Sequence, residues 1–223
     1  MQTKNLAFSS KYTFQHALKY HDKHRNTLGH RLSNWREQRM AARALALAGD
    51  PATVLDLPCG TGRFWPLLAR KEDRMILAAD NSEAMLSVAR EVNPPELLAR
   101  VKTFPCSAFD IQMGNDSVDH IFCMRLLHHI TRPVDRLAIL SEFYRVTRDT
   151  VALSLWVDGN YKAVQRKKLE ARRTYKTYQN RIVLNHAVVE REFTDAGFVI
   201  AGHIDFLKFY AMWRVYVLKK NTP

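Results

Sequence analysis

The chain has 223 residues, 47% of them hydrophobic and 25% charged, and its 34 Lys and Arg against 22 Asp and Glu give a formal charge of +12. A chain of this length and composition buries one substantial core, which excludes disordered, collagen-like and small disulfide-stapled proteins. No apolar run approaches the roughly 18 residues of a spanning helix, the polar residues 1–10 lack the apolar stretch of a secretory leader, and Cys59, Cys106 and Cys123 are too few and scattered for a disulfide framework or a paired zinc site. A cytoplasmic chain with reduced, buried thiols and no metal is expected.

The charge is unevenly placed. Residues 1–50 carry nine Lys and Arg against three acids, residues 51–161 twelve against fourteen, residues 162–181 eight against Glu170 alone, and residues 182–223 five against four. Two segments hold the excess, which draws acidic partners toward them without naming one. Simple solvated helix faces are the competing explanation.

In chain order, residues 1–50 read as helix, with apolar or aromatic positions that include Tyr12, Leu18, Tyr20, Leu28, Trp35, Met40 and Leu45, and a stop at Gly49-Asp50. Such positions need a surface to cover them, so this segment is expected to be an extension or lid on a domain that fills residues 51–223. From Pro51 onward short apolar runs alternate with amphipathic stretches, the pattern of a parallel sheet with crossover helices. The runs at 53–57 (TVLDL), 75–79, 101–104, 118–124 (VDHIFCM) and 151–157 (VALSLWV) predict strands. Residues 63–70, 83–90 behind a cap at Asn81 or Ser82, 133–146, and 188–196 before Gly197 predict helices. Residues 198–206 and 209–218 read as an antiparallel hairpin, the second run alternating in the manner of a sheet edge. The fold expected is α/β: a Rossmann-like, doubly wound, seven-stranded, mainly parallel sheet with a C-terminal antiparallel hairpin and a helical N-terminal extension.

The strongest local signal is Asp56-Leu57-Pro58-Cys59-Gly60-Thr61-Gly62, a glycine turn directly after the first strand. Glycines there let backbone approach a ligand at the carboxyl end of a sheet. A dinucleotide fingerprint requires Gly or Ala at its sixth position, and counting from Gly60 that position is Trp65. The Gly-Lys-Ser/Thr of a phosphate loop is absent too, and the acidic residue before the turn suits a cationic ligand better than a phosphate.

At these residues the chain resembles the class I S-adenosylmethionine-dependent methyltransferases, whose first strand ends in an acid followed by a turn like "LDLPCGTGRF". Asp80 in "LAADNSEAML" resembles the family's acid at the end of the second strand, which implies a carboxylate for the two ribose hydroxyls. The stretch Cys106-Ser107-Ala108-Phe109-Asp110 stands where the family meets the adenine, with Ser107 in place of the usual Asp. "DSVDHIFCMRLLHHI" resembles the family's fourth-strand element. The resemblance implies S-adenosyl-L-methionine as cofactor, bound by Asp56, Pro58, Cys59, Gly60, Thr61 and Gly62 of the turn, by Asp80, Asn81 and Met85, by Ser107, Ala108 and Phe109 at the adenine, and by Met124. Tyr20 and Arg31, beside Tyr12 and His21, are implied as N-terminal cover.

Methyl transfer from a sulfonium is an in-line displacement that needs alignment and desolvation, and a base only for a hydroxyl or protonated amine acceptor. His128 and Arg125 are the candidate catalytic residues; His129 reads equally as a packing histidine. A basic cap insertion is expected at about residues 158–183, where Val164, Lys168, Ala171, Tyr175 and Tyr178 recur at helical steps; its aromatics either face inward or, with Tyr161, interleave with basic residues to meet an acceptor. The acceptor expected is a small or medium anionic molecule, phosphorylated, carboxylated or lipid- or sugar-linked. RNA is the alternative partner, a non-catalytic cofactor-binding protein the third reading, and peripheral contact with an anionic membrane a further one.

Overall fold

Parallel strands need long crossovers, and the amphipathic stretches after Pro51 supply them. In the computed structural model, which describes residues 13–23, 27–172 and 182–221 apart from the side chains of residues 20, 22 and 23, β1 (Thr53–Asp56) lies between β2 (Met75–Asp80) and β4 (Val118–Cys123). Outside these run β3 (Val101–Pro105) and β5 (Thr147–Trp156), and all five are parallel. Beyond β5, β7 (Trp213–Lys220) is antiparallel and pairs in turn with β6 (Phe198–Asp205), giving the order β3-β2-β1-β4-β5-β7-β6. The seven-stranded, mainly parallel sheet with a C-terminal hairpin is the architecture the sequence predicts.

One strand is placed differently. The alternation of residues 209–218 predicts an edge strand, but β7 starts at Trp213 and is inserted between β5 and β6, with Val215, Tyr216, Val217 and Leu218 all buried. Burial on both faces requires a continuous apolar run, which these four residues form. The edge falls to β6, whose Val199 and Ile200 are exposed.

Helix boundaries follow their caps. Thr27, Ser82, Asn160 and Asn185 each accept a backbone N–H at the starts of α2 (Leu28–Leu47), α4 (Glu83–Val92), α7 (Tyr161–Ala171) and α8 (His186–Asp195). Gly197, at φ +91°, closes α8. α6 (Pro133–Val146) matches its predicted span, whereas residues 63–70 form only the short α3 (Trp65–Leu68), because the glycine turn runs on to Phe64. α5 (Pro95–Leu98) is a single turn in the connection before β3.

The sheet is covered on both faces. Ile139, Leu140 and Phe143 of α6 with Val189 and Phe193 of α8 fill one side. Met40, Ala41, Ala44 and Leu45 of α2, Trp65 and Leu68 of α3, and Leu86 and Ala89 of α4 fill the other. The second helix of the N-terminal extension is therefore part of the core. α1 (Phe14–Lys23) rests more lightly, through Ala17 against Met85 and Val88 of α4.

α6 and α8 are pinned by a buried ion pair. Arg136 donates to Glu192 Oε2 at 2.8 Å and Oε1 at 2.5 Å, and also to the carbonyls of Ile130 and Thr131, with both side chains less than a tenth exposed. Removing one partner strands the other charge in the core, at a cost of roughly 3–5 kcal/mol. Glu192→Gln should lower the unfolding free energy by about 3 kcal/mol in a urea titration, and a loss under about 1 kcal/mol would show that water reaches the pair.

Candidate active site

β1 and β2 end side by side, so Asp56 and Asp80, the last residues of neighbouring strands, bracket the turn. Hydrogen bonds to those strand ends shape it: Leu57 N–H donates to Phe122 O at 3.0 Å, Cys59 N–H to Ala79 O at 2.8 Å, and Gly60 N–H to Asp80 Oδ2 at 2.9 Å. Gly60 and Gly62 take φ of +56° and +75°, where a Cβ is strained. At Gly62 a Cβ would also lie 2.5 Å from the Trp65 ring. This glycine therefore serves the packing of a fully buried indole, which occupies the sixth position of the turn.

The two aspartates are buried but differently satisfied. Asp80 accepts Gly60 N–H at Oδ2 and Ser82 N–H at Oδ1, both at 2.9 Å. Each oxygen keeps a second lone pair, so two ribose hydroxyl donors fit. Burial pushes its carboxyl up to about 6 against the pull of those amides. Asp56 is pushed well above the carboxylate range, first by burial and then by the charge of Asp80, with the Trp65 indole and Arg63 acting the other way. Its Oδ2 makes no hydrogen bond of normal geometry among the described residues, although the Trp65 indole N–H, itself without another partner, is close enough to act on the carboxyl. A buried carboxylate oxygen in that state favours a cationic donor, and the ammonium of S-adenosylmethionine's amino-acid part matches it. Cys59, Cys106 and Cys123 are all free and buried.

After β3, Phe109 N–H donates to Ser107 Oγ at 3.2 Å, so the serine that stands where the family has Asp is engaged in a local turn. Ala108 is buried and Phe109 half-buried. Asn81 is exposed before α4, Met85 is buried against Ala17, and Met124 is buried just after β4.

The N-terminal helices reach this turn from above. His21 Nδ1 lies 3.4 Å from Thr61 Oγ1, and Gln38 donates to Arg63 O at 3.1 Å. Glu37 of α2, 6% exposed, receives Arg63 at 2.5 Å and Arg125 at 2.7 Å. Burial alone would raise its carboxyl, but the two guanidiniums outweigh that and hold it below the ordinary range. Arg31, expected beside the cofactor, is exposed on α2; the guanidinium at the turn is that of Arg63. The side chain of Tyr20, and Tyr12, Tyr175 and Tyr178 altogether, lie outside the described residues.

Arg125 follows β4 with φ +68°, its N–H donating to Ser154 Oγ at 2.8 Å. Its guanidinium, besides the bond to Glu37, lies 5.0 Å from the Trp213 ring. His128, 1% exposed in the 3-10 turn Leu127–His129, stacks on Trp156 at 5.3 Å and 12° and meets Trp213 edge-on at 5.3 Å. Arg166 of α7 lies 4.9 Å from the Trp156 ring. Two indoles and an imidazole thus form a layer between two arginines at the carboxyl edge. Sequence reasoning passes over Glu37, Arg63, Trp156 and Trp213; a glutamate in an amphipathic helix and two tryptophans in strand-like runs carry no local signal of a shared site.

An acid-bracketed glycine turn at the carboxyl edge of a doubly wound sheet defines a nucleoside-cofactor domain. Residues 54–150 match the family model described as a methyltransferase domain. Methyltransferase GfsG of Streptomyces halstedii is 33% identical over 120 residues, 48% of this chain and 43% of that protein. The tRNA U34 carboxymethyltransferase of Shewanella sp. (strain ANA-3) is 28% identical over 139 residues, 59% of this chain and 39% of that protein. The chain spans about two fifths of the length of the curated relatives it matches. The structure of magnesium protoporphyrin IX methyltransferase (ChlM) from Synechocystis PCC 6803 with bound SAH has a TM-score of 0.74 at 17% identity, covering 96% of this chain and 98% of that one. A Haloferax volcanii methyltransferase in complex with the Trm112 activator gives 0.67 at 17% identity, covering 98% and 99%. Residues 54–150 thus resemble a methyltransferase domain, on the fold of the solved class I S-adenosylmethionine-dependent methyltransferases, and the chemistry of the turn fits S-adenosylmethionine.

Ribose hydroxyls favour the ionised form of Asp80, so calorimetric affinity for S-adenosylmethionine should rise as pH increases through about 6 and then level off. In Asp80→Asn the affinity should be about 1.5–3 kcal/mol weaker and flat across that window; a flat wild-type profile would sink the assignment. Without cofactor the same raised carboxyl stabilises the fold fully below its ordinary 3.8 and loses that contribution as pH rises through about 6. Glu37→Gln should cost about 2–3 kcal/mol in urea unfolding, below the figure for a fully buried pair because Arg125 is 21% exposed. An unchanged midpoint would show that the clamp contributes nothing.

Proposed function

We propose that this chain transfers the methyl group of S-adenosylmethionine to a small or medium anionic acceptor: a phosphorylated, carboxylated, or lipid- or sugar-linked molecule. The observation that carries this reading is the arginine-bounded aromatic layer at the carboxyl edge, Arg125 over Trp213 and Arg166 over Trp156 with His128 between the indoles. Flat rings offer an apolar wall, and the basic segments beside them favour negative charge, the two guanidiniums themselves being paired with Glu37 and Glu170. Residues 51–161, which hold the cofactor turn, carry twelve basic against fourteen acidic residues by contrast, so in this reading the positive charge lies on the covering segments.

The cofactor brings the sulfonium leaving group. The protein's part is to align the acceptor and keep water out. Asp56, Asp80 and the backbone of residues 59–62 hold the cofactor in this reading. Arg125 acts as a positioning residue, since its guanidinium is engaged by Glu37 and faces Trp213. His128 forms part of the wall and is the candidate base for a hydroxyl acceptor. α1 and α2 serve as the cover over residues 51–223. The free, buried thiols accord with a reducing, cytoplasmic compartment.

A second reading, RNA as acceptor, draws on the similarity to the tRNA U34 carboxymethyltransferase. A third, a role without methyl transfer, draws on the likeness in fold to the [4+2]-cyclase SpnF at a TM-score of 0.64. Labelled S-adenosylmethionine incubated with fractionated extract separates them. Label in an anionic small molecule or lipid, reduced at least tenfold in His128→Ala for a hydroxyl acceptor, supports the first reading. Label in RNA, with affinity falling steeply with salt, replaces it with the second, and tight cofactor binding with no labelled product leaves the third.

A further inference from the structure

The loop between β6 and β7 and the start of α7 form one tip. Tyr161 N–H donates to Phe209 O and Lys162 N–H to Tyr210 O, both at 3.0 Å, and the Tyr161 and Tyr210 rings stack at 5.7 Å and 17°. The apolar side of the tip faces water: Phe209 is 76% exposed, Tyr161 54%, Val164 52% and Leu207 50%. On α7, Tyr161, Val164, Lys168 and Arg172 follow at steps of three and four, so apolar and basic groups share its outer face. Of the two orientations the sequence allows for this stripe, its described part takes the outward one.

Phe209 adds an independent observation. Its φ of +61° is in the left-handed region, which costs a bulky L-residue free energy, and burial returns nothing because the ring is mostly in water. A backbone strained to hold an aromatic ring out of the fold points to a partner that receives the ring. Lys208 Nζ lies 5.0 Å from the Phe209 ring and Lys162 Nζ 5.3 Å from the Tyr210 ring, Lys167, Lys168 and Arg172 follow along α7, and the acid of that helix, Glu170, is paired with Arg166 at 2.8 Å.

We propose that this tip is a docking surface for an anionic lipid membrane, with Phe209 and Leu207 entering the headgroup boundary and the lysines meeting lipid phosphates. Leu207, Val164 and the exposed Leu169 favour a bilayer over nucleic acid, because aliphatic side chains insert into lipid but do not stack on bases. The tip sits on the active-site edge of the sheet: β5 and β7 pair there through Trp156 and Trp213, the indoles of the aromatic layer. Docking turns that layer toward the bilayer. It thereby deepens the anionic-acceptor reading toward a lipid-linked acceptor, while docking itself is measured without turnover.

Flotation of the full-length protein with phosphatidylcholine vesicles, with and without phosphatidylglycerol, tests this. Binding is expected to the anionic vesicles only, weakened roughly tenfold or more in Leu207→Ser/Phe209→Asn and in Lys162→Glu/Lys208→Glu with affinity for S-adenosylmethionine unchanged. Asn adopts the left-handed region readily, so Phe209→Asn alone should melt no lower than the wild type while losing vesicle binding, an outcome that a purely structural Phe209 would not give. Binding indifferent to phosphatidylglycerol, unchanged binding in Leu207→Ser/Phe209→Asn, or Phe209-dependent binding of tRNA in place of vesicles would each overturn the proposal. A chain that docks but methylates nothing would remove the proposed function and leave the docking surface standing.

Discussion

The buried Glu37 carboxylate is the contact on which the site's assembly depends. It projects from α2 and takes Arg63 from the far side of the glycine turn and Arg125 from the end of β4. Three segments distant in sequence are thereby joined by one charge cluster that none of them forms alone. Arg125 extends it, because its backbone is held in the left-handed region by Ser154 while its guanidinium covers Trp213. From Trp213 ring contacts continue through His128 and Trp156 to Arg166 on α7. α2 and α7, which belong to the two positively charged segments of the sequence, are thus ends of one contiguous set of contacts across the carboxyl edge.

Three buried acids lie around this edge, and their environments divide them by role. Glu37 faces two guanidiniums and is held below its ordinary range, so its charge is already neutralised within the fold. Asp56 and Asp80 are raised, chiefly by burial, with only amide donors on Asp80 and an oxygen of Asp56 unbonded. A raised carboxyl in the core is an unmet electrostatic demand, and it is met by a ligand that brings positive charge and hydroxyl donors together. S-adenosylmethionine has both. A ribose acid such as Asp80 is also found in dinucleotide sites, so it is the Trp65 ring packed on Gly62, at the position where the dinucleotide turn needs Gly or Ala, that speaks against a pyrophosphate.

The fold was legible where local chemistry is repeated. Alternating apolar runs and amphipathic stretches placed the five parallel strands, and Ser82 and Gly197 marked helix ends that the structure reproduces. The cofactor turn was legible because glycines and strand-terminal acids are close in sequence. What escaped depends on distant packing: β7 reads as a half-exposed edge until Val215–Leu218 are seen buried between β5 and β6. Likewise Glu37 looks like any surface acid of a basic helix, since its burial is set by residues 26 and 88 positions further along the chain. Ser107 could be aligned by sequence, but its hydroxyl turns to the Phe109 amide, a choice that only the backbone reveals.

The separation of charge follows from the same packing. Asp56 and Asp80 sit at the floor of the edge because strand ends place them there, and both are buried. Basic residues cannot be buried without such partners, so they collect on the outer surfaces of the covering elements. On α7 the result is unusual, because Val164 and Tyr161 share the solvent face with Lys168 while Ala163 is the helix's buried residue. Burial within the fold would favour turning the larger side chains inward, and a helix that does the opposite leaves an apolar strip free for the docking proposed above. Phe209 repeats the pattern with backbone strain added. Two neighbouring elements that each give up burial on the same side are what the proposed docking surface rests on, next to the layer where the acceptor is expected to sit.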